Sequence, residues 1–310
     1  MQLRGEADEW VRVRAAGKIN LALKVGPVQP DGYHPLATVF QAVSLVDEVA
    51  VRTAPAGEFG VTMTGEQSSL VPTGDANLAV RAAKLLAERY GDPGRLGAEI
   101  RIRKAIPVTG GMAGGSADCA AALLACSVLW DLDVGPAELA QLGGMLGADV
   151  PFALHGQTAL GKRRGDRLVP VLSRGCYHWV LAFADFELST AAVFRLFDQM
   201  DDARPERDLD VPPELLAALA AGDPVALAPH LVNDLAEPAM AMRPELATLL
   251  DAGKELGALA SLLSGSGPTC AFLAADESAA IDLSVKLSSL GLCRAVRRVA
   301  GPVPGAQLII

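Results

Sequence analysis

The sequence predicts an α+β protein built as two domains, and three observations carry that reading. Strand-like alternation and helical spacing follow one another along the 310 residues without regular βαβ repetition, which disfavours a doubly wound sheet. The length exceeds that of a small stapled domain and suits one large domain or two modest ones. The pattern changes character near 165–175, so the expected division is 1–170 and 171–310.

Each element has its own signal. From Lys18 the residues alternate, with Lys18, Asn20, Ala22 and Lys24 on one face and Ile19, Leu21, Leu23 and Val25 on the other, the pattern of a half-buried strand. "PDGYHP" at 30–35 is a turn, "TVFQAVSLVDEVAVR" at 38–52 one or two strands, and "VTMTG" at 61–65 another. Residues 77–91 have helical spacing, with a candidate cap at Asp75 and a terminating Gly91; 99–108 alternate as a strand. A glycine-rich loop then leads into a helix over 116–130, a second helix covers 136–146, and 157–171 form a hairpin with a basic turn. The second half begins with the strand "HWVLAFA" and a helix at 190–200. After it come surface-packed helices in the Pro-, Asp- and Ala-rich stretch 205–224. A strand, glycine turn and strand over 261–276, a helix at 277–290 and the strand "CRAVRRVA" complete it. There is no internal repeat.

Composition narrows the function. Apolar residues make up 51% of the chain, enough for a sizeable core, yet stretches such as "CAAALLACSVLW" at 119–130 fall short of a membrane span. The opening "MQLRGEADEW" is acidic and has no long apolar core, which argues against a secretory signal and for a cytoplasmic protein with no membrane partner. Five cysteines (119, 126, 176, 270 and 293) form no C-x-x-C pair and are expected as buried, reduced thiols; four scattered histidines make no zinc pattern. A net charge of −9 argues against nucleic acid as a partner, while leaving room for a small polyphosphate held by local amides and a lysine.

The stretch "PVTGGMAGGSADCAAAL" at 107–123 invites such a ligand. A strand, a glycine-rich loop and a helix N-terminus together aim free N–H groups and the positive end of the helix dipole at one place. Ser116 can cap the helix or join the cradle. The alternative is an ordinary tight turn before a buried helix. The Rossmann order G-x-G-x-x-G is absent, and a near P-loop at Gly156, Gly161 and Lys162 fails because Arg163 stands where Ser or Thr must hold magnesium. Asp118, in the first helical turn, suits the dipole but repels a triphosphate, so it points away or faces a magnesium ion. Elsewhere, Lys18 and Asn20 share a strand face that is ordinarily solvated, and Asp149 in "GADVPF" reads as a turn residue. Tyr33 and His34 sit in a turn, and "SGSGPT" at 264–269 is a second glycine turn. Jointly they would supply a base, a lysine and two backbone cradles, the parts that phosphoryl transfer from a nucleotide demands.

With those residues in view, the sequence resembles the GHMP small-molecule kinases. "GKINLAL", "PVTGGMAGGSADCAAAL" and "LLSGSGPT" are similar to that family's three motifs. "DGYH", "VFQAVSLVDEV", "GADVPF" and "NDLAEPA", in family order from about 15 to 275, look closest to the branch that phosphorylates a cytidine diphosphate conjugate of methylerythritol. The resemblance implies an N-terminal domain like domain 2 of ribosomal protein S5, a ferredoxin-like C-terminal domain, ATP as co-substrate with Mg2+, and a small-molecule substrate in the cleft between them. By matching position it implies Asp149 as catalytic base, with Lys18 paired to it. The ATP site would comprise Lys104 together with Pro107, Val108, Thr109, Gly110, Gly111, Met112, Ala113, Gly114, Gly115, Ser116 and Ala117. Asn20, Tyr33, His34, Thr190 and Phe194 would bind the substrate, with Tyr33 and Phe194 holding a cytosine ring and His34 reading its edge. Gly114 and Gly115 stand where relatives carry a magnesium-binding serine, which leaves the metal ligands unassigned. The alternatives are a kinase of the mevalonate or homoserine type, or a catalytically silent nucleotide-binding protein on the same scaffold.

Overall fold

The computed structural model describes residues 10–91, 94–201 and 209–309. Most of the opening stretch on which the signal-peptide reading rests, and residues 202–208, lie outside the described residues.

Two sheets organise the chain. The first is centred on two long antiparallel strands, β1 (Val11–Val25) and β2 (Leu36–Thr53). β3 (Phe59–Gly65) runs parallel to β4 (Ala98–Lys104) at one edge. β2 is long because its halves serve different neighbours: Glu48–Thr53 pair with β4, and Leu36–Gln41 with β5 (Thr158–Arg163), which turns back into β6 (Arg167–Pro170). The β1–β2 register slips between Ala16 and Gly17 and again between Asn20 and Ala22. Lys18 and Asn20 thus sit between two irregularities, the kind of local kink that re-aims side chains beside functional sites. The second sheet has the order β11 (Ala295–Gly301), β7 (Tyr177–Phe183), β10 (Cys270–Ala274), β9 (Ala260–Leu263), all antiparallel. Two short strands return to β1, namely β8 (Val232–Asn233), parallel, and β12 (Gln307–Leu308), antiparallel, so the end of the described chain closes on the first sheet.

Helices α1 (Leu78–Tyr90), α2 (Gly114–Leu129), α3 (Pro136–Leu146) and α4 (Val150–His155) belong to the first half. In the second are α5 (Thr190–Asp201), α6 (Pro213–Ala221), α7 (Pro224–Leu227), α8 (Ala236–Met242), α9 (Glu245–Glu255) and α10 (Glu277–Ser289). β7 is apolar on both faces and feeds two cores. Trp179, Leu181 and Phe183 join the large core that includes α1, α2 and β1, whereas Val180 and Ala182 face the core formed with Phe197, Leu249 and Leu283 of α5, α9 and α10. Trp179 Nε1 donates to Gln41 Oε1 at 3.0 Å, a buried polar tie between the sheets.

The differences from the sequence reading are local. The cap of α1 is Asn77, whose Oδ1 accepts the Ala79 N–H at 2.9 Å, while Asp75 lies in a preceding 3-10 turn. α2 starts at Gly114, two residues before its expected first turn, because Ala113 adopts a left-handed φ of 58° and breaks the loop there. The polar face of β1 is not solvated: Lys18 is 6% and Asn20 2% exposed. Cys119, Cys126 and Cys270 are buried, with burial pushing the first two thiols up to about 12, but Cys176 is exposed.

Candidate active site

A cavity of about 1030 Å³ opens where the glycine loop, β1, α4, α5 and the turn after β9 converge. Loop 107–113 forms one wall. Gly111 adopts φ +72°, and a Cβ there would lie 2.1 Å from the carbonyl oxygen of Ser264, so only glycine fits. The loop is pinned from outside by Gln67, whose Oε1 accepts the Val108 N–H at 3.0 Å.

Lys18, which reaches the glycine loop, and Asp149 line the same cavity. The Lys18 ammonium donates to Asn20 Oδ1 at 2.7 Å and to the Gly111 carbonyl at 2.9 Å. Asn20 in turn donates to Thr38 Oγ1 at 2.8 Å, which fixes its amide with the oxygen towards the lysine. Burial pulls the Lys18 pKa below the ordinary lysine range, and the nearby Asp149 charge opposes that shift. The two interact through space without a direct ion pair. Asp149 is the residue before α4, a helix too short to be read from sequence; Pro151 starts that helix, and the Asp149 side chain caps nothing. It is therefore free to face the cavity it lines.

Lys104 occupies the same cavity wall in a different state. Its ammonium is 4% exposed as a residue and pairs with Asp47 and, at 2.7 Å, with Asp118. Asp47 Oδ1 also takes the N–H groups of Ala105 at 2.6 Å and Ile106 at 2.9 Å, where β4 runs into the glycine loop. Burial would lower the Lys104 pKa, but the two carboxylates outweigh it and the pKa is raised; burial pushes the Asp118 carboxyl up against the pull of Lys104. The triad bridges the strand before the loop to the helix after it, and so closes the neck of the loop.

The second glycine turn completes the floor. Ser264 Oγ donates to the Gly111 carbonyl at 3.0 Å, and Thr190 Oγ1 and Ser266 Oγ are 2.8 Å apart. Asn233 Nδ2 donates to the carbonyls of Leu263 at 2.8 Å and Gly265 at 2.7 Å, while its Oδ1 accepts the Leu235 N–H. Gly265 in turn packs against Lys18. A recess of about 260 Å³ adjoins the cavity, with Leu36 and Phe194 lining both. It holds Tyr33, 54% exposed, and His34, whose ring centroid is 5.0 Å from that of Phe194. His34 Nδ1 is 2.8 Å from the Gly26 carbonyl and therefore carries the donor hydrogen; Nε2 lies 3.5 Å from Asp198.

A glycine loop at a helix N-terminus facing a desolvated lysine and an uncommitted aspartate is the geometry of a phosphoryl-transfer site. Comparison with known proteins agrees. The models for the GHMP kinases N terminal domain and the GHMP kinases C terminal match residues 77–157 and 215–291. The chain is 52% identical over 98% of its length, and 96% of the other's, to 4-diphosphocytidyl-2-C-methyl-D-erythritol kinase of Mycobacterium tuberculosis. The chain belongs to the GHMP kinases. A solved 4-(cytidine 5'-diphospho)-2C-methyl-D-erythritol kinase, 33% identical, superposes with a TM-score of 0.75 over 93% of this chain and 98% of that one. Homoserine kinase from Cytophaga hutchinsonii, 18% identical, has a TM-score of 0.75 over the full length of both and shares the fold. Membership brings ATP as co-substrate and the two-domain α+β GHMP kinase architecture expected from the motifs.

In this GHMP kinase, Lys18, Asn20, Lys104, Asp149, Thr190, Phe194 and most of the glycine loop line one cavity. Met112 and Ala117 are buried in the core, and neither they nor Ser116 line it; Tyr33 and His34 line the adjoining recess. Sequence reasoning missed Asp47, Asn233, Ser264 and Ser266 as individual residues. Asp47 had a signal: alternation in β2 carries it to the same side as the buried Val49 and Val51, and a carboxylate on an apolar face demands a partner.

Proposed function

We propose that this GHMP kinase transfers the γ-phosphoryl group of ATP to the 2-hydroxyl of 4-diphosphocytidyl-2-C-methyl-D-erythritol, a step in making isoprenoid precursors. The carrying observation is the continuity of one cavity, holding the glycine loop, Lys18 and Asp149, with a recess walled by Tyr33, His34 and Phe194. A base held in that recess orients its far end towards Asp149; mevalonate and homoserine have no ring for those aromatics to grip. The 52% identity along almost the whole of a relative of that name supports the same substrate. A reaction drawing on ATP fits the cytoplasm.

The chain's own groups account for the chemistry. The loop amides that line the cavity, those of Thr109, Gly110, Gly111, Ala113, Gly114 and Gly115, and the α2 dipole hold the nucleotide phosphates. Asp149 takes the proton of the attacking hydroxyl as its oxygen bonds to the γ-phosphorus and ADP departs. Lys18, held by Asn20 and Gly111, balances the charge gathering on the transferred group in a site that water does not dilute. Thr190 and Asn20 position the acceptor. Among the described residues no cluster of His, Cys, Asp and Glu is built to hold a metal, and Asp118 is committed to Lys104. The donor set thus does not form a resident cation site, and Mg2+ is taken to enter on the phosphates of ATP, as part of the substrate. An ADP-release assay comparing the cytidine diphosphate substrate with mevalonate and homoserine tests the proposal. A preference of two orders of magnitude or more in kcat/KM is expected; equal turnover of all three would refute it.

A further inference from the structure

The basic turn between β5 and β6 has no part in the chemistry above. Gly165, at φ +89°, lets the chain reverse, with its N–H bonded to the Lys162 carbonyl at 3.1 Å, and the reversal carries Arg164 to the mouth of the aromatic recess. The guanidinium carbon lies 5.2 Å from the centre of the Tyr33 ring. Its ion pair with Asp166 is 3.6 Å long, beyond hydrogen-bond distance, and the guanidinium makes no hydrogen bond among the described residues. Arg52 and Arg103, by contrast, are bonded to Glu99 and Glu48 at 2.7 Å.

Charge accounting gives that loosely paired guanidinium a task. The proposed acceptor carries a diphosphate, and the chain as a whole is at −9. The lysines and arginines lining the cavity and the recess are Lys18, Lys104 and Arg164. Lys104 is neutralised by two carboxylates, and Lys18 is held deep beside the glycine loop, where the transferred phosphoryl belongs. No carboxylate lines the recess itself. A diphosphate attached to a base in the recess has at hand one cation whose ion pair, 3.6 Å to Asp166, carries no hydrogen bond.

Resting on the acceptor reading above, we propose that Arg164 is a specificity-determining residue that binds the diphosphate of the nucleoside-diphosphate substrate while its flat face rests against Tyr33. A planar fork of donors suits two phosphate oxygens and can stack on an aromatic ring simultaneously, which a lysine does not do.

The test is calorimetric titration of the whole chain with CDP and with cytidine, using the wild type and the variants Arg164→Ala, Arg164→Lys and Phe194→Ala. Arg164→Ala should weaken CDP at least about ten-fold, as loss of a charge-assisted bond does, with cytidine changed less than about two-fold. Arg164→Lys should restore part of the CDP affinity, and Phe194→Ala should weaken both ligands alike. Should Arg164→Ala weaken cytidine as much as CDP, or neither, the diphosphate role is overturned. A wild type that binds neither ligand would overturn the cytidine reading of the recess itself, a result distinct from a failure at Arg164.

Discussion

Lys18 and Lys104 line one cavity and are equally withdrawn from water, yet they are opposites. Lys104 has two carboxylates and a raised pKa; Lys18 has a carbonyl, an amide oxygen, a carboxylate at a distance and a lowered pKa. A buried charge that is fully paired holds the fold together and has nothing left to offer a ligand. One that is solvated only by neutral dipoles is under-compensated, and an arriving phosphate supplies what it lacks. On the proposed mechanism, the contrast separates a structural lysine from a functional one.

The comparison breaks most severely at the group that tunes it. Asp149→Asn should lower kcat by roughly 10²–10⁴-fold, the range for loss of a general base, with ATP binding little changed by titration. Near-normal turnover would remove Asp149 from that role. The two lysines should then fail in crossed fashion. Lys18→Met should cost turnover about 10²–10³-fold, as for a lost charge-stabilising donor, and leave the melting temperature nearly unchanged. Lys104→Met strands Asp47 and Asp118 and should cost about 3–5 kcal/mol in urea unfolding. Matching stability losses in the two variants would erase the distinction.

The smallest effect is in pH. As pH rises the proton leaves Lys18 before it leaves an ordinary lysine, whereas Lys104 keeps its proton longer. The kcat/KM profile should therefore fall on its alkaline side below pH 10.5, the ordinary lysine value. In Asp149→Asn the residual activity should fall at still lower pH, because the field that opposes deprotonation is gone. An alkaline limb unmoved by that substitution would assign it to another group.

The sequence made these parts legible unevenly, for physical reasons. Strands β3, β4, β7 and helix α3 could be read because their own alternation or spacing decides them. The burial of Lys18 and Asn20 could not, since it depends on a turn some 246 positions later that closes over the polar face of β1. α4 has six residues, too few for any period to show, and β8 and β12 are two-residue strands that exist only as partners of β1. Asp118 was expected to point away or to face magnesium; its partner proved to be Lys104, placed by the strand before the loop. The sequence reading gave the hairpin its basic turn but assigned Arg164 no role, because nothing local says which ring the turn will reach.

The carbonyl oxygen of Gly111 serves Lys18, 93 positions earlier in the chain, and Ser264, 153 positions later. A polypeptide emerging from the ribosome thus has its glycine loop translated long before the hydroxyl that completes the arrangement exists. A chain ending short of Ser264 lacks the hydroxyl that shares the Gly111 carbonyl with Lys18, so the two glycine turns are joined there only once nearly all of the sequence has been made.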